Sequence, residues 1–208
     1  MTTTAPIVLS DLIPFPRVMN RTWVRDAVLV LSAALFTALC AQITVHLGFT
    51  PVPLTGQTFA VLSVGGILGT RRAMASQVVY WALGATGLPF YAANKEGIRG
   101  GWSIATGSTF GYFVGFVVAA GVVGWFADRR DDRNYVSSLS AMFLASGIIY
   151  TLGALWLSHA ANIPLYSDNG GSAIDYGVTP FLVGDVVKMA LAAAIAPLGW
   201  ASYYAKPR

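Results

Sequence analysis

Charge is scarce in this 208-residue chain: 11% of its residues are Asp, Glu, Lys or Arg, against roughly 25% in ordinary soluble domains. Cys40 is its single cysteine, and His46 and His159 are its only histidines. One cysteine excludes both a disulfide framework and a cysteine metal cluster. Neither histidine belongs to an H-E-x-x-H pattern and no G-x-S-x-G stretch occurs, so the nucleophile, base or metal constellation of an enzyme is not legible. A G-x-x-x-x-G-K-[ST] phosphate loop is also missing, and without it the chain does not hydrolyse ATP by that route. The first 25 residues carry Pro6, Pro14 and Pro16 and lack an apolar run ending in a small-residue cleavage site. They read as a polar arm with an interfacial portion at Trp23 rather than a cleaved leader.

What the chain has in place of charge is hydrocarbon, with 55% of residues hydrophobic. About 20 apolar residues are needed to cross a bilayer as a helix. Six stretches approach or exceed that length, at about 27–47, 52–69, 73–93, 108–127, 136–161 and 180–204. The expected fold class is therefore an all-α integral membrane protein, one domain with six transmembrane helices in the cell membrane and lipid around them. Short cytoplasmic loops retain Lys and Arg. Arg17, Arg21, Arg25, Arg71, Arg72, Arg129, Arg130, Arg133, Lys206 and Arg208 fall on the side of the termini, whereas Lys95 and Arg99 fall on the other. Ten against two makes both termini cytoplasmic. The net charge of +4 is thereby a matter of topology, and no nucleic-acid partner is implied, since that would require a basic face on a soluble element.

Within the last span, PFLVGDVVKMALAAAIAPLGW, Asp185 and Lys188 stand three residues apart. Each charge costs roughly 2.5–3.5 kcal/mol in the middle of a membrane helix. Thr179 and Pro180 make a good N-cap and first helical position. From that start Asp185 lies about 8 Å and Lys188 about 12 Å along the axis, on one face. Two readings stand side by side: an internal salt bridge that only packs, and the polar floor of an outward-facing ligand pocket. An ion pair buried for stability alone seldom outperforms apolar packing, which favours the second. Gly107, Gly111 and Gly115 recur every fourth residue and make a smooth helix face for a neighbour or a ligand. Ala34 and Ala38 form a further small-xxx-small pair, suited to internal packing or to docking a partner. The outward loop GFTPVPLTGQ is stiffened by Pro51 and Pro53 and sets Thr55 and Gln57 at the outer mouth, whereas LPFYAANKEGIRGGWSIATGS mixes aromatics and glycines in the manner of a lid.

Five segments in order, PVPLTGQTFAV at 51–61, LGTRRA at 68–73, YWALGATGLPFYA at 80–92, GSTFGYFVGF at 107–116 and PFLVGDVVKMALAA at 180–193, resemble BioY, the biotin-binding S component of energy-coupling factor (ECF) vitamin transporters. The resemblance implies six helices, capture of biotin from outside, and assembly with an ECF membrane coupling protein and two ATPase subunits. No cofactor is implied, biotin being the transported ligand. Asp185 and Lys188 then belong to the biotin site, and Ala34 and Ala38 to the surface that meets the coupling protein. Biotin offers two N–H donors, carbonyl and carboxylate acceptors and an apolar thioether ring. Asp185 suits the N–H groups, and Lys188 suits either acceptor. Gln57, Asn94 and Tyr112 complete the polar contacts, with Phe90, Tyr91 and Trp102 over the ring. Arg99 is an exposed loop cation with the carboxylate as its alternative partner. Where the family often reads GPTGGY, this chain has GSTFGY, with Ser108 and Phe110 in place of proline and glycine. A stand-alone secondary transporter or facilitator for biotin or another small solute is the alternative.

Overall fold

The computed structural model describes residues 7–14, 16, 21–93, 97 and 99–205. Helices α1 (Thr22–Gln42), α2 (Gln57–Leu68), α3 (Thr70–Ala85), α5 (Phe110–Asp128), α6 (Tyr135–Ala161) and α8 (Leu182–Tyr204) build the bundle, and short helices α4 (Trp102–Ala105) and α7 (Ala173–Gly177) lie in its loops. The described strands are the two-residue β1 (Thr44–Val45) and β2 (Leu54–Thr55), paired antiparallel with Thr44 opposite Thr55.

Four helical segments among the described residues are long and apolar enough to cross a membrane: Thr22–Gln42, Phe110–Asp128, Tyr135–Ala161 and Ala173–Tyr204. Here the structure departs from the six full-length spans expected. The second and third stretches, expected at 52–69 and 73–93, form helices of only 12 and 16 residues. Pro51 and Pro53 keep the approach to α2 extended, and α3 gives way after Ala85 to a turn in which Gly87 has φ 102°. The first helix starts five residues before the expected Ala27. Its charged first turns are accommodated because Arg72 pairs with Asp26 at 2.8 Å and with Asp11 at 3.2 Å.

Helix α2 is the hub, buried from Ala60 through Gly66 and packed by α1, α3, α5 and α8. A helix apolar all round is one that protein surrounds on every side, which removes the need for a full membrane length of its own. It turns into α3 at Gly69, whose φ of 77° is natural only for glycine. The Asp128 carboxylate, arriving from the end of α5, accepts from the Thr70 amide at 3.1 Å and so caps α3. The glycine row is used for helix packing: a Cβ at Gly111 would lie 2.4 Å from the Leu152 carbonyl oxygen, and one at Gly115 2.9 Å from the Ile149 Cα. Phe110 packs between Trp81 and Trp156.

The described arginines of the terminal side gather at one end of the bundle and are largely engaged. Arg133 stacks 4.3 Å over Trp200, whose indole N–H donates to Asp132 at 2.8 Å. Burial works to raise the Asp11 carboxyl, but the Val8 amide and Arg72 outweigh it and hold Asp11 below the ordinary range. That contribution is present above the normal carboxylate pKa and fades as acid protonates the group.

Ala34 and Ala38, expected on the surface that meets the coupling protein, lie within the packed part of the bundle. They are 0% and 7% exposed and belong to the core, close to the Gln77–Thr37 hydrogen bond that ties α3 to α1. The row on the outside of α1 is Leu31, Leu35 and Leu39 instead. A small-residue stripe lets helices approach whether the neighbour is internal or foreign, and here the neighbour is internal. Replacing Ala34 or Ala38 with Trp is expected to overpack the core, costing roughly 1–3 kcal/mol or more and lowering the melting temperature of the purified protein by several degrees. Leu35→Trp should leave it unchanged; equal melting temperatures for all three would contradict this placement.

Candidate functional site

Opposite the arginine end, the loops and helix ends enclose a cavity of about 440 Å³. Its floor comes from three helices. Thr58 lies at the start of α2, Tyr150 midway along α6, and Asp185 in the first turn of α8. Helix α8 begins at Leu182 rather than at the expected Pro180, because Thr179–Phe181 form a 3-10 turn and the Thr179 hydroxyl donates to Ile174. Asp185 is therefore a first-turn carboxylate, where the helix macrodipole favours negative charge.

Asp185 is 2% exposed. Oδ1 accepts from Lys188 Nζ at 2.7 Å and from the Thr58 hydroxyl at 3.1 Å, while Oδ2 accepts from the Tyr150 hydroxyl at 2.6 Å. Lys188 Nζ also donates to the Thr55 carbonyl at 2.6 Å and to Thr58 Oγ1 at 3.4 Å. An ammonium has three hydrogens, and all three are engaged within the protein. The same holds for the hydroxyls of Thr58 and Tyr150. The floor consequently presents lone pairs to the cavity: those left on the carboxylate and those on the phenol oxygen. Its charge is balanced internally, which is what makes a carboxylate tolerable at this depth.

The other expected residues divide cleanly. Gln57, Tyr91 and Tyr112 line the cavity. Gln57 Nε2 donates to the Tyr80 hydroxyl at 2.6 Å and its oxygen accepts from Thr55 at 2.8 Å. Tyr112 donates to the Gly177 carbonyl at 2.8 Å, so its hydroxyl hydrogen is spent and it offers the cavity a ring and an acceptor oxygen. Tyr91 is 1% exposed. Its ring fills the space beside Gly84, where a Cβ would come within 2.2 Å of it, and packs 4.8 Å from Phe113.

Trp102 does not line the cavity. It is 65% exposed and packs against Trp81, and its neighbours Ser103 and Ile104 line the cavity in its place. Phe90 stacks on Tyr80 outside the lining, and Arg99 donates to the Gln42 side chain. Asn94 lies outside the described residues. Ser108, the departure from the GPTGGY pattern, lines the cavity, as does Thr109. His46 and Ala93 belong to its rim, joined by a 2.7 Å contact from Nε2 to the carbonyl. Sequence reasoning missed Thr58 and Tyr150. Both are ordinary residues in apolar helices, and the one available signal was that a buried Asp185 needs donors beyond a single lysine.

Four membrane-length helical segments and a partly open cavity on a charge-balanced polar floor define a multi-pass membrane protein that binds a small solute. The chain belongs to the BioY family, whose model matches residues 10–205. A protein of Pyrococcus horikoshii named probable biotin transporter BioY is 37% identical over 166 residues, which cover 78% of this chain and 90% of that one. The biotin transporter BioY of Thermotoga maritima is 35% identical over 170 residues, covering 80% and 92%. A crystal structure described as the S-component for biotin from an ECF-type ABC transporter shares the fold at a TM-score of 0.74, with 24% identity over 86% of this chain and 92% of that one.

The hydrogen bonds around Asp185 lend themselves to a direct test. Tyr150→Phe removes one hydrogen bond from a buried carboxylate, a loss of roughly 1.5–3 kcal/mol. Thermal unfolding of the ligand-free variant should report that loss, and an unchanged melting temperature would mean that Tyr150 does not hold Asp185 in the membrane.

Proposed function

We propose that this protein is the biotin-binding subunit of a vitamin uptake transporter, capturing biotin at the outer face for ATP-driven import with an ECF coupling protein and two ATPase subunits. Family membership and the names of the relatives support the ligand class. The observation that carries it is the floor. Because Lys188, Thr58 and Tyr150 spend their hydrogens on protein acceptors, the recognition groups left at Asp185 accept rather than donate. The ureido ring of biotin supplies two N–H donors, which suit those lone pairs. Lys188 serves to balance Asp185 and not to pair with the ligand carboxylate. The valerate chain then points towards the rim near His46 and Ala93. Tyr91, Tyr112 and Gln57 form the walls around the thioether ring.

The membrane arrangement follows from the same residues. In this reading α1, α2, α3, α5, α6 and α8 make six crossings, α2 and α3 being short because protein encloses α2 and extended segments complete their paths. The arginine end is cytoplasmic, which places both termini inside and the cavity outside. The absence of a phosphate-loop motif assigns energy supply to the ATPase partners.

Calorimetric titration of the purified protein should register saturable binding of biotin and dethiobiotin, which share the ureido ring, and far weaker binding of lipoate, which keeps the valerate and lacks the N–H groups. Asp185→Asn should weaken biotin by about ten- to a hundred-fold, the equivalent of roughly 1.5–3 kcal/mol. Equal affinity for lipoate, or an unaltered variant, would return the pair to a packing role. In intact cells, a cysteine at Asp168 should react with an impermeant maleimide and one at Asp131 should not; the reverse pattern would invert the topology.

A further inference from the structure

Two cavities meet at one hydrogen bond. Tyr150 and Asp185 line the cavity described above, and both also line a second, nearly wholly apolar groove of about 500 Å³ between α6 and α8. Phe143, Leu155, Leu182 and Val186 wall it, with exposures of 71%, 50%, 48% and 58%. At Gly147 a side chain would meet nothing within 4 Å, so the groove is open where the helix has no side chain to fill it.

What covers this groove follows from where it lies. The two flanking segments are membrane-length, and only 44% and 33% of their most apolar windows are buried within the protein, so their outer faces lie against hydrocarbon. Asp185, the carboxylate reaching the groove, is already bonded to Lys188, Thr58 and Tyr150. Water there would find too few partners to be held, and an empty groove would forfeit the dispersion contacts of its walls.

We propose that a phospholipid acyl chain occupies the groove and packs on the outer side of the Tyr150 ring, holding its hydroxyl on Asp185. The lipid is then part of the site. With the groove unfilled, the ring has room to swing away from the cavity, Asp185 loses its only contact to Oδ2 among the described residues, and the floor loses its fixed geometry. The consequence for ligand affinity rests on the biotin reading of the cavity.

The full-length protein in nanodiscs tests this. A nitroxide on Gly147→Cys, in a Cys40→Ala background, should be accessible to oxygen and inaccessible to a water-soluble nickel complex. Biotin should bind wild type several-fold more weakly in diphytanoyl phosphatidylcholine, whose methyl-branched chains fit a narrow groove poorly, than in the dioleoyl lipid. Gly147→Phe, and Gly147→Leu should the phenyl variant not fold, should bind equally in both lipids, because the new side chain replaces the acyl chain. A nickel-accessible label, or wild-type affinity that ignores chain branching, would overturn the proposal. Failure of biotin to bind in any sample would overturn the biotin reading, and the label would still decide what fills the groove.

Discussion

A carboxylate inside a membrane protein must be satisfied on every side, and the placement of Asp185 organises the upper half of this one. Its three hydrogen-bond donors come from α2, α6 and α8, so the same bonds that neutralise it also fix the relative positions of three helices. Removing one partner from a buried pair is far more damaging than replacing both with apolar groups. The network is therefore an expensive way to hold helices together and an effective way to hold a small set of lone pairs in a defined place. Function accounts for it better than stability does.

The rest of the architecture serves that placement. Helix α2 brings Thr58 to Asp185 from the middle of the bundle, while Gly69 and Asp128 secure its other end. Tyr112 crosses to the Gly177 carbonyl, and Thr50 to that of Tyr176, tying the loop that carries α7 to the cavity wall. At the opposite end, ion pairs that reach the charged start of α1 let that helix begin earlier than hydropathy alone would allow. One end is tied by ion pairs and the other surrounds a cavity.

Much of this was legible in the sequence because charges in hydrocarbon are conspicuous. Asp185 and Lys188 stood out by cost alone, and their spacing of three residues predicted the contact observed at 2.7 Å. Gln57 stood out as a polar residue at the mouth of a span. Thr58 and Tyr150 did not, since their partner is 127 and 35 residues away and neither residue type is unusual in a membrane helix. The packing of Trp102 on Trp81 was not legible because an aromatic in a glycine-rich loop looks alike whether it faces a ligand or another tryptophan. The burial of Ala34 and Ala38 was not legible for a related reason, a small-residue stripe being identical for internal and external neighbours. Span boundaries slipped where charged residues were paired within the protein, at Arg25 and Asp26, or where a buried helix had no need to be long, at α2.

Which ligand atoms meet Asp185 is open to a direct distance measurement. Solid-state NMR of the protein carrying ¹³C-labelled aspartate, in lipid with biotin labelled by ¹⁵N in its ureido ring, should yield a dipolar coupling at hydrogen-bond range to one carboxylate carbon, absent in Asp185→Asn. A bound biotin whose nitrogens show no coupling to any aspartate, and whose carboxylate instead couples to ¹⁵N-labelled Lys188, would contradict the account.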